Sequence, residues 1–174
     1  LPGSANPSAP VMPFIEFAVN KPAPDPQVGH ASRTTSSRPA PDPAMLALAG
    51  RTGLYERLVE ADLVTFLAGE PDASADLIVA ADVFIYLGHL ASALGGMARV
   101  LRPGGFAVFT VQSPPEGETG VVLGADGRYA HADTYLKAEA ERARLTIVEM
   151  HSAAIRRQKR IDVPGRILIL HKHL

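Results

Sequence analysis

Between Asp76 and Gln112 the chain reads DLIVAADVFIYLGHLASALGGMARVLRPGGFAVFTVQ, and few folds accept that order of signals. Leu77 to Ala81 is a short continuous apolar run, the pattern of a strand buried on both faces of a parallel sheet. Asp82 ends the run, where open α/β sheets place ligand-binding groups. Leu90, Leu94, Met97 and Leu101 then recur at helical spacing and form one apolar stripe. Arg102-Pro103-Gly104-Gly105 stops the helix, because Pro cannot continue it and Gly accepts positive φ. Phe106 to Val111 is a second apolar, strand-forming run. The segment is a βαβ unit, and its crossover is right-handed.

The remaining elements follow the same logic. Asp42-Pro43 puts an N-cap before proline at the first helical position, and Met45, Leu48, Ala49 and Thr52 share a face. Leu58 to Ala61 reads as a short strand, and Asp62 to Ala75 as a loop or short helix. Ser113 to Arg128, with two prolines and four glycines between them, reads as a loop. Asp133 is the expected cap of a helix from Thr134 to about Arg144. Leu145 to Met150 and Arg166 to Lys172 are strands, turned by Val163-Pro164-Gly165, and so short a turn permits only an antiparallel pair.

Composition narrows the function. The net charge of −1 gives no electrostatic case for nucleic acid or an anionic membrane as partner. The chain has no cysteine, which excludes disulfides, thiolate metal sites and cysteine nucleophiles. No run approaches the ~20 apolar residues needed to span a bilayer, and no signal peptide is visible. Cytoplasmic location is the default expectation. The chain starts with Leu, which reads as a processed protein or a fragment. Ten of the fifteen prolines lie between positions 2 and 43. Residues 1–41 are therefore read as a separate Pro/Ser/Ala-rich segment, disordered or not native to the fold, ahead of a domain at 42–174. Only Val11 to Val19 is apolar enough to dock.

The strand ending in Asp76-Leu77-Ile78-Val79-Ala80-Ala81-Asp82-Val83, followed by a helix ending in Leu101-Arg102-Pro103-Gly104-Gly105, resembles the second half of a class I S-adenosylmethionine (SAM)-dependent methyltransferase. The resemblance covers about Asp42 to His173. It implies a Rossmann-like α/β sheet, mostly parallel with an antiparallel C-terminal hairpin, here incomplete. It implies SAM as cofactor and methyl transfer to an acceptor, small molecule or protein, that the sequence does not name. Asp62 and Leu63 match the positions that hold the adenine amine and ring in that family. Ala81, Asp82 and Val83 match the loop lining the methionine end of SAM and the substrate mouth. His131 lies where some relatives carry a base, and its pKa range suits proton removal. Loop or helix caps are the competing readings for Asp62, Asp82 and His131. His171 and His173 alternate on one strand face, but no third metal ligand is visible, so no metal is expected. The Arg156 to Arg160 cluster reads as a solvated loop.

The family's glycine-rich GxGxG loop is missing, since residues 1–41 contain only Gly3 and Gly29. Counting back from Pro43 places Ala40 where the ribose-binding acid belongs. Half of the cofactor site is thus absent, and with it two central strands. A frame error upstream of Pro43 accounts for these observations together; a divergent N-terminus is the competing account. The chain is expected to be impaired, with exposed apolar faces on the Leu77 and Phe106 strands. A non-catalytic methyltransferase-like interaction domain is one alternative. A nicotinamide-dependent reductase is another, but Tyr55, Tyr86, Tyr129 and Tyr135 all lack a Lys four residues later.

Overall fold

The computed structural model describes residues 47, 48, 50–52, 55, 57–59, 61–158 and 160–173. The 1–41 segment and most of the expected Asp42 helix lie outside them, although residues 47, 48, 50 and 51 are helical. The elements are α1 (Leu63–Gly69), β1 (Ala75–Ala80), a 3-10 turn (Phe84–Tyr86), α2 (Ala91–Val100), β2 (Leu101–Gln112), β3 (Val121–Leu123), β4 (Tyr129–His131), α3 (Asp133–Arg142), β5 (Thr146–Gln158) and β6 (Ile161–His171).

The βαβ unit forms as its sequence dictates. β1 and β2 are parallel, with Ile78 beside Ala107 and Ala80 beside Phe109. Leu90, Leu94, Met97 and Leu101 are all buried. Leu101 is already the C-cap of α2 and opens β2 without a linker. The Arg102–Gly105 stop is accommodated inside the ladder: Ala75 and Leu77 on β1 face Leu101 and Phe106 on β2, so the glycine segment bulges out between them. Gly104 there has φ +81°, and its N–H donates to the Lys172 carbonyl at 2.7 Å.

β2 is the hub of the sheet. The order is β3-β4-β2-β6-β5, with β1 also paired to β2. The α/β, Rossmann-like reading holds, but the sheet is not mostly parallel among the described residues. β1–β2 and β2–β4 are parallel, whereas β2–β6, β3–β4 and β5–β6 are antiparallel. Only a long crossover can return a chain parallel to itself, and α2 is such a crossover; the short β3–β4 and β5–β6 connections cannot be.

Four local expectations need correction. Residues 57–59 and 61 are not strand, because no strand among the described residues lies beside them to accept a ladder. Ser113–Arg128 is not one loop: β3 lies within it and pairs with β4. Val163-Pro164-Gly165 does not turn the chain but runs within β6, and the reversal falls between Gln158 and Ile161, which pair with each other. Arg160 supplies the reversal with φ +67°. Pro164 is tolerated because β6 meets β2 only from Gly165 onward, so its missing N–H breaks no ladder bond to β2. Asp133 does not cap α3; Ala132 holds that position. The Asp133 carboxylate is instead gripped by Arg166, Nε to Oδ1 at 2.9 Å and Nη2 to Oδ2 at 3.0 Å.

One face of the sheet carries the core. Ile78, Ala80, Ala107, Phe109, Leu168 and Leu170 pack with Leu63, Phe66, Leu67, Leu94, Met97, Leu136 and Ala140 of the three helices. Each fully buried Leu or Phe of this set contributes roughly 1.5–3 kcal/mol. No described helix covers the other face, where Leu77, Val79 and Phe106 are 41%, 37% and 39% exposed.

Candidate functional site

The parallel pair β1–β2 directs its carboxyl ends toward a polar cluster. After Ala80 the chain must leave the sheet and enter the 3-10 turn. Asp82 makes that reversal with φ +58°, a left-handed conformation that Asp accepts more readily than most residues. Its N–H donates to Oγ1 of Thr110 on β2 at 2.8 Å. Val83, Phe84 and Ile85 are fully buried behind it, and the Phe84 ring stacks on Phe109 at 4.2 Å. The strained residue is therefore held by packing on one side and by β2 on the other.

Arg156 completes the cluster from β5. Its Nη2 donates to Gln112 Oε1 at 2.9 Å. Its guanidinium also lies 3.6 Å from Asp82 Oδ1 and 3.4 Å from Asp126 Oδ2, with the side chain only 12% exposed. Arg128, at the start of the β3–β4 hairpin's return, pairs with Asp126 at 3.2 Å and neighbours Tyr86. The expectation of a solvated arginine cluster is thus corrected for Arg156. A register shift between Ala154 and Arg156 re-aims the side chain across the sheet. Burial pushes the Asp82 carboxyl above its ordinary value, against the opposing pull of Arg156 and Arg128. Burial also raises Asp126, but hydrogen bonds from Arg128 outweigh it and hold that carboxyl low.

The other expected site residues lie apart from this cluster in different settings. Ala81 is exposed beside Asp82. Val83 is wholly buried and Leu63 is 1% exposed within the core, so neither presents side-chain surface to a ligand. Asp62 is the N-cap of α1, its Oδ1 accepting from the Thr65 N–H at 2.9 Å. Burial raises its carboxyl, and the hydrogen bonds from Thr65 and nearby amides more than offset this, leaving it low.

His131 ends β4 and is fully buried. Nε2 lies 2.8 Å from the Leu87 carbonyl; a carbonyl only accepts, so Nε2 carries the proton. The ring stacks on Tyr135 at 5.7 Å, whose hydroxyl accepts from the Leu90 N–H. Nδ1 is buried with no hydrogen-bond partner among the described residues. Burial pushes the imidazole below its ordinary value, against hydrogen bonds that the ring donates to the Leu87 and Gly88 backbone. Among the described residues no three side chains group to hold a metal ion, and no helix is long and apolar enough to cross a membrane.

Sequence reasoning missed Thr110, Gln112, Asp126 and Arg128 as members of the cluster. One signal was present: Asp126-Gly127 is a strong hairpin turn pair, and it folds the segment so that Arg128 and Asp126 meet.

Comparison with known proteins bears on the fold. Residues 39–109 match the methyltransferase domain family. No curated protein sequence matches the chain. Among solved structures, a SAM-dependent methyltransferase from Methanosarcina mazei is 16% identical, with a TM-score of 0.57 over 76% of this chain and 79% of its own. The 1,6-didemethyltoxoflavin-N1-methyltransferase of Burkholderia thailandensis, with bound 1,6-didemethyltoxoflavin and S-adenosylhomocysteine, is 16% identical with a TM-score of 0.60, over 78% of this chain and 59% of its own. An N-methyltransferase from Bradyrhizobium japonicum, in complex with S-adenosylhomocysteine, is 24% identical with a TM-score of 0.52, over 74% and 61%. This chain thus spans about three fifths of the latter two. The fold is that of the class I SAM-dependent methyltransferases.

Proposed function

We propose that this chain is a SAM-dependent methyltransferase domain that binds its methyl donor at the crevice beyond the carboxyl ends of β1 and β2, and binds it weakly. The observation that carries the reading is Asp82. It is a non-glycine residue held at φ +58° at the open end of the parallel pair, inside the segment that matches the methyltransferase domain. Strain of this kind, of order 1–3 kcal/mol, persists where surrounding structure over-determines it, and it clusters at functional sites. Open α/β sheets bind ligands at this end.

SAM supplies an already activated methyl group, so the protein's contribution is alignment and exclusion of water. Asp82, fixed through Thr110 and Arg156, presents a carboxylate to a polar group of the methionine end or of the acceptor. Ala81 lets a ligand approach the backbone closely. At α1, Oδ1 of Asp62 serves the helix cap and Oδ2 is assigned to the adenine amine.

The fit is partial. Leu63 and Val83 turn into the core, and neither the sequence ahead of residue 47 nor the described residues supply a GxGxG loop. Weak affinity follows from that shortfall. Nuclear magnetic resonance titration with millimolar SAM tests the reading. Shifts confined to Asp62, Ala81, Asp82 and Thr110 are expected. Absence of any perturbation, or perturbation elsewhere, would overturn the site. Saturable calorimetric binding at micromolar SAM would overturn the weakness.

A further inference from the structure

We propose that Arg156 is a positioning residue that couples the charge at Asp82 to the β3–β4 hairpin: a cationic ligand group taken up by the Asp82 carboxylate frees the Arg156 guanidinium to draw the hairpin tip onto the crevice. The inference deepens the reading of this crevice as the donor site, and the cationic ligand rests on that reading. SAM carries an ammonium and a sulfonium, so it has the charge the coupling requires.

Three observations carry it. First, one guanidinium serves two carboxylates on different elements. It stands 3.6 Å from Oδ1 of Asp82, beyond the end of β1, and 3.4 Å from Oδ2 of Asp126, at the hairpin tip. A guanidinium–carboxylate hydrogen bond closes to about 2.7–2.9 Å, so neither contact is drawn tight. Second, Arg156 is anchored independently of both acids. Its Nη2 donates to Gln112 Oε1 at 2.9 Å, so the head leans toward either carboxylate without leaving its seat. Third, the hairpin depends on side-chain ties. A single backbone pair among the described residues, Gln112 with Ala130, joins it to β2. Arg128 adds a tie to Tyr86. A two-stranded hairpin alone is marginal in water, so undocking exposes its amides. A cation beside Asp82 neutralises that carboxylate and repels the guanidinium, and both effects favour Asp126.

Amide exchange of the full chain, followed by nuclear magnetic resonance, tests this, first without SAM. Asp82→Asn removes the charge and keeps the backbone at φ +58°, which Asn accepts. It is expected to slow exchange at Val121–His131 about threefold, the scale of one strengthened ion pair, while Ala107 to Val111 stay unchanged. Loss of a merely structural contact would speed it instead. Asp126→Asn is expected to speed exchange in the hairpin and to make it indifferent to Asp82→Asn. Faster or unchanged exchange in Asp82→Asn overturns the proposal. So does an Asp82→Asn effect that persists in the Asp126→Asn background. Millimolar SAM, added next to the unsubstituted chain, is expected to slow the same amides. If Asp82→Asn slows them and SAM does not, the coupling stands and the donor reading of the crevice falls.

Discussion

At the scale of single residues, the chemistry of His131 and Asp62 is inseparable from their structural duties. His131 joins the end of β4 to the segment after the 3-10 turn through the Leu87 carbonyl. Its burial lowers the imidazole pKa from 6.5, so in the folded protein it stays neutral where the unfolded chain takes up a proton. The unfolded state then binds more protons in the window just below pH 6.5, and stability falls as pH falls through that window. His131→Gln, which keeps a donor for Leu87, is expected to flatten this slope in melting curves between pH 5 and 7; an unchanged slope would detach it from His131. Asp62 caps α1, and Asp62→Ala is expected to cost about 1 kcal/mol of stability. Asp62→Asn retains the cap, so denaturant midpoints should separate the two variants. A weaker response to SAM in Asp62→Asn would add the adenine role; equal midpoints for both variants would refute the capping role. The sequence made Asp62 and Asp82 legible because each follows an apolar run. It could not tell which neighbours turn inward, and so it did not separate Leu63 and Val83, which the core absorbs, from Ala81.

At the scale of elements, legibility followed length. The Asp76–Gln112 unit was readable because its periodicity extends over a full helix and two strands. The three-residue strands β3 and β4 are too short to carry a pattern. The β5–β6 hairpin was anticipated, but its turn was misplaced because Pro164-Gly165 looks like punctuation. The structure gives Gly165 a different reason. A Cβ there would meet the Val111 carbonyl oxygen at 2.3 Å and Ile155 Cγ2 at 2.6 Å. Glycine is required because β6 first joins β2 at this residue, opposite Gln112, and the backbones crowd. Gly165→Ala is therefore expected to destabilise by about 1–3 kcal/mol, seen as a lower urea midpoint. It should also disturb Gln112 and, through it, the Arg156 bond. A neutral Gly165→Ala would mean that the two strands can part without cost.

At the scale of the whole molecule, the decisive asymmetry among the described residues is that α1, α2 and α3 cover one face of the sheet and no described helix covers the other. The alternation along β1 and β2 is apolar on both sides, which is why the sequence read as a strand buried twice. Whatever covers the other face, the stability of the domain is centred on β2. It lies between β1 and β6 and touches β4 at its end. Opening β2 requires breaking two ladders and unpacking Ala107, Phe109 and Val111 from the core. Opening β5 at the edge breaks one. Amide exchange should therefore be slowest from Ala107 to Val111 and proceed there only through global unfolding. Val121–Leu123, paired on one side only, should exchange fastest among the strands. Slower exchange in β5 than in β2 would contradict this order: it would make the β5–β6 hairpin an independently stable unit and move the molecule's centre of stability away from the strand that supports the Asp82 crevice.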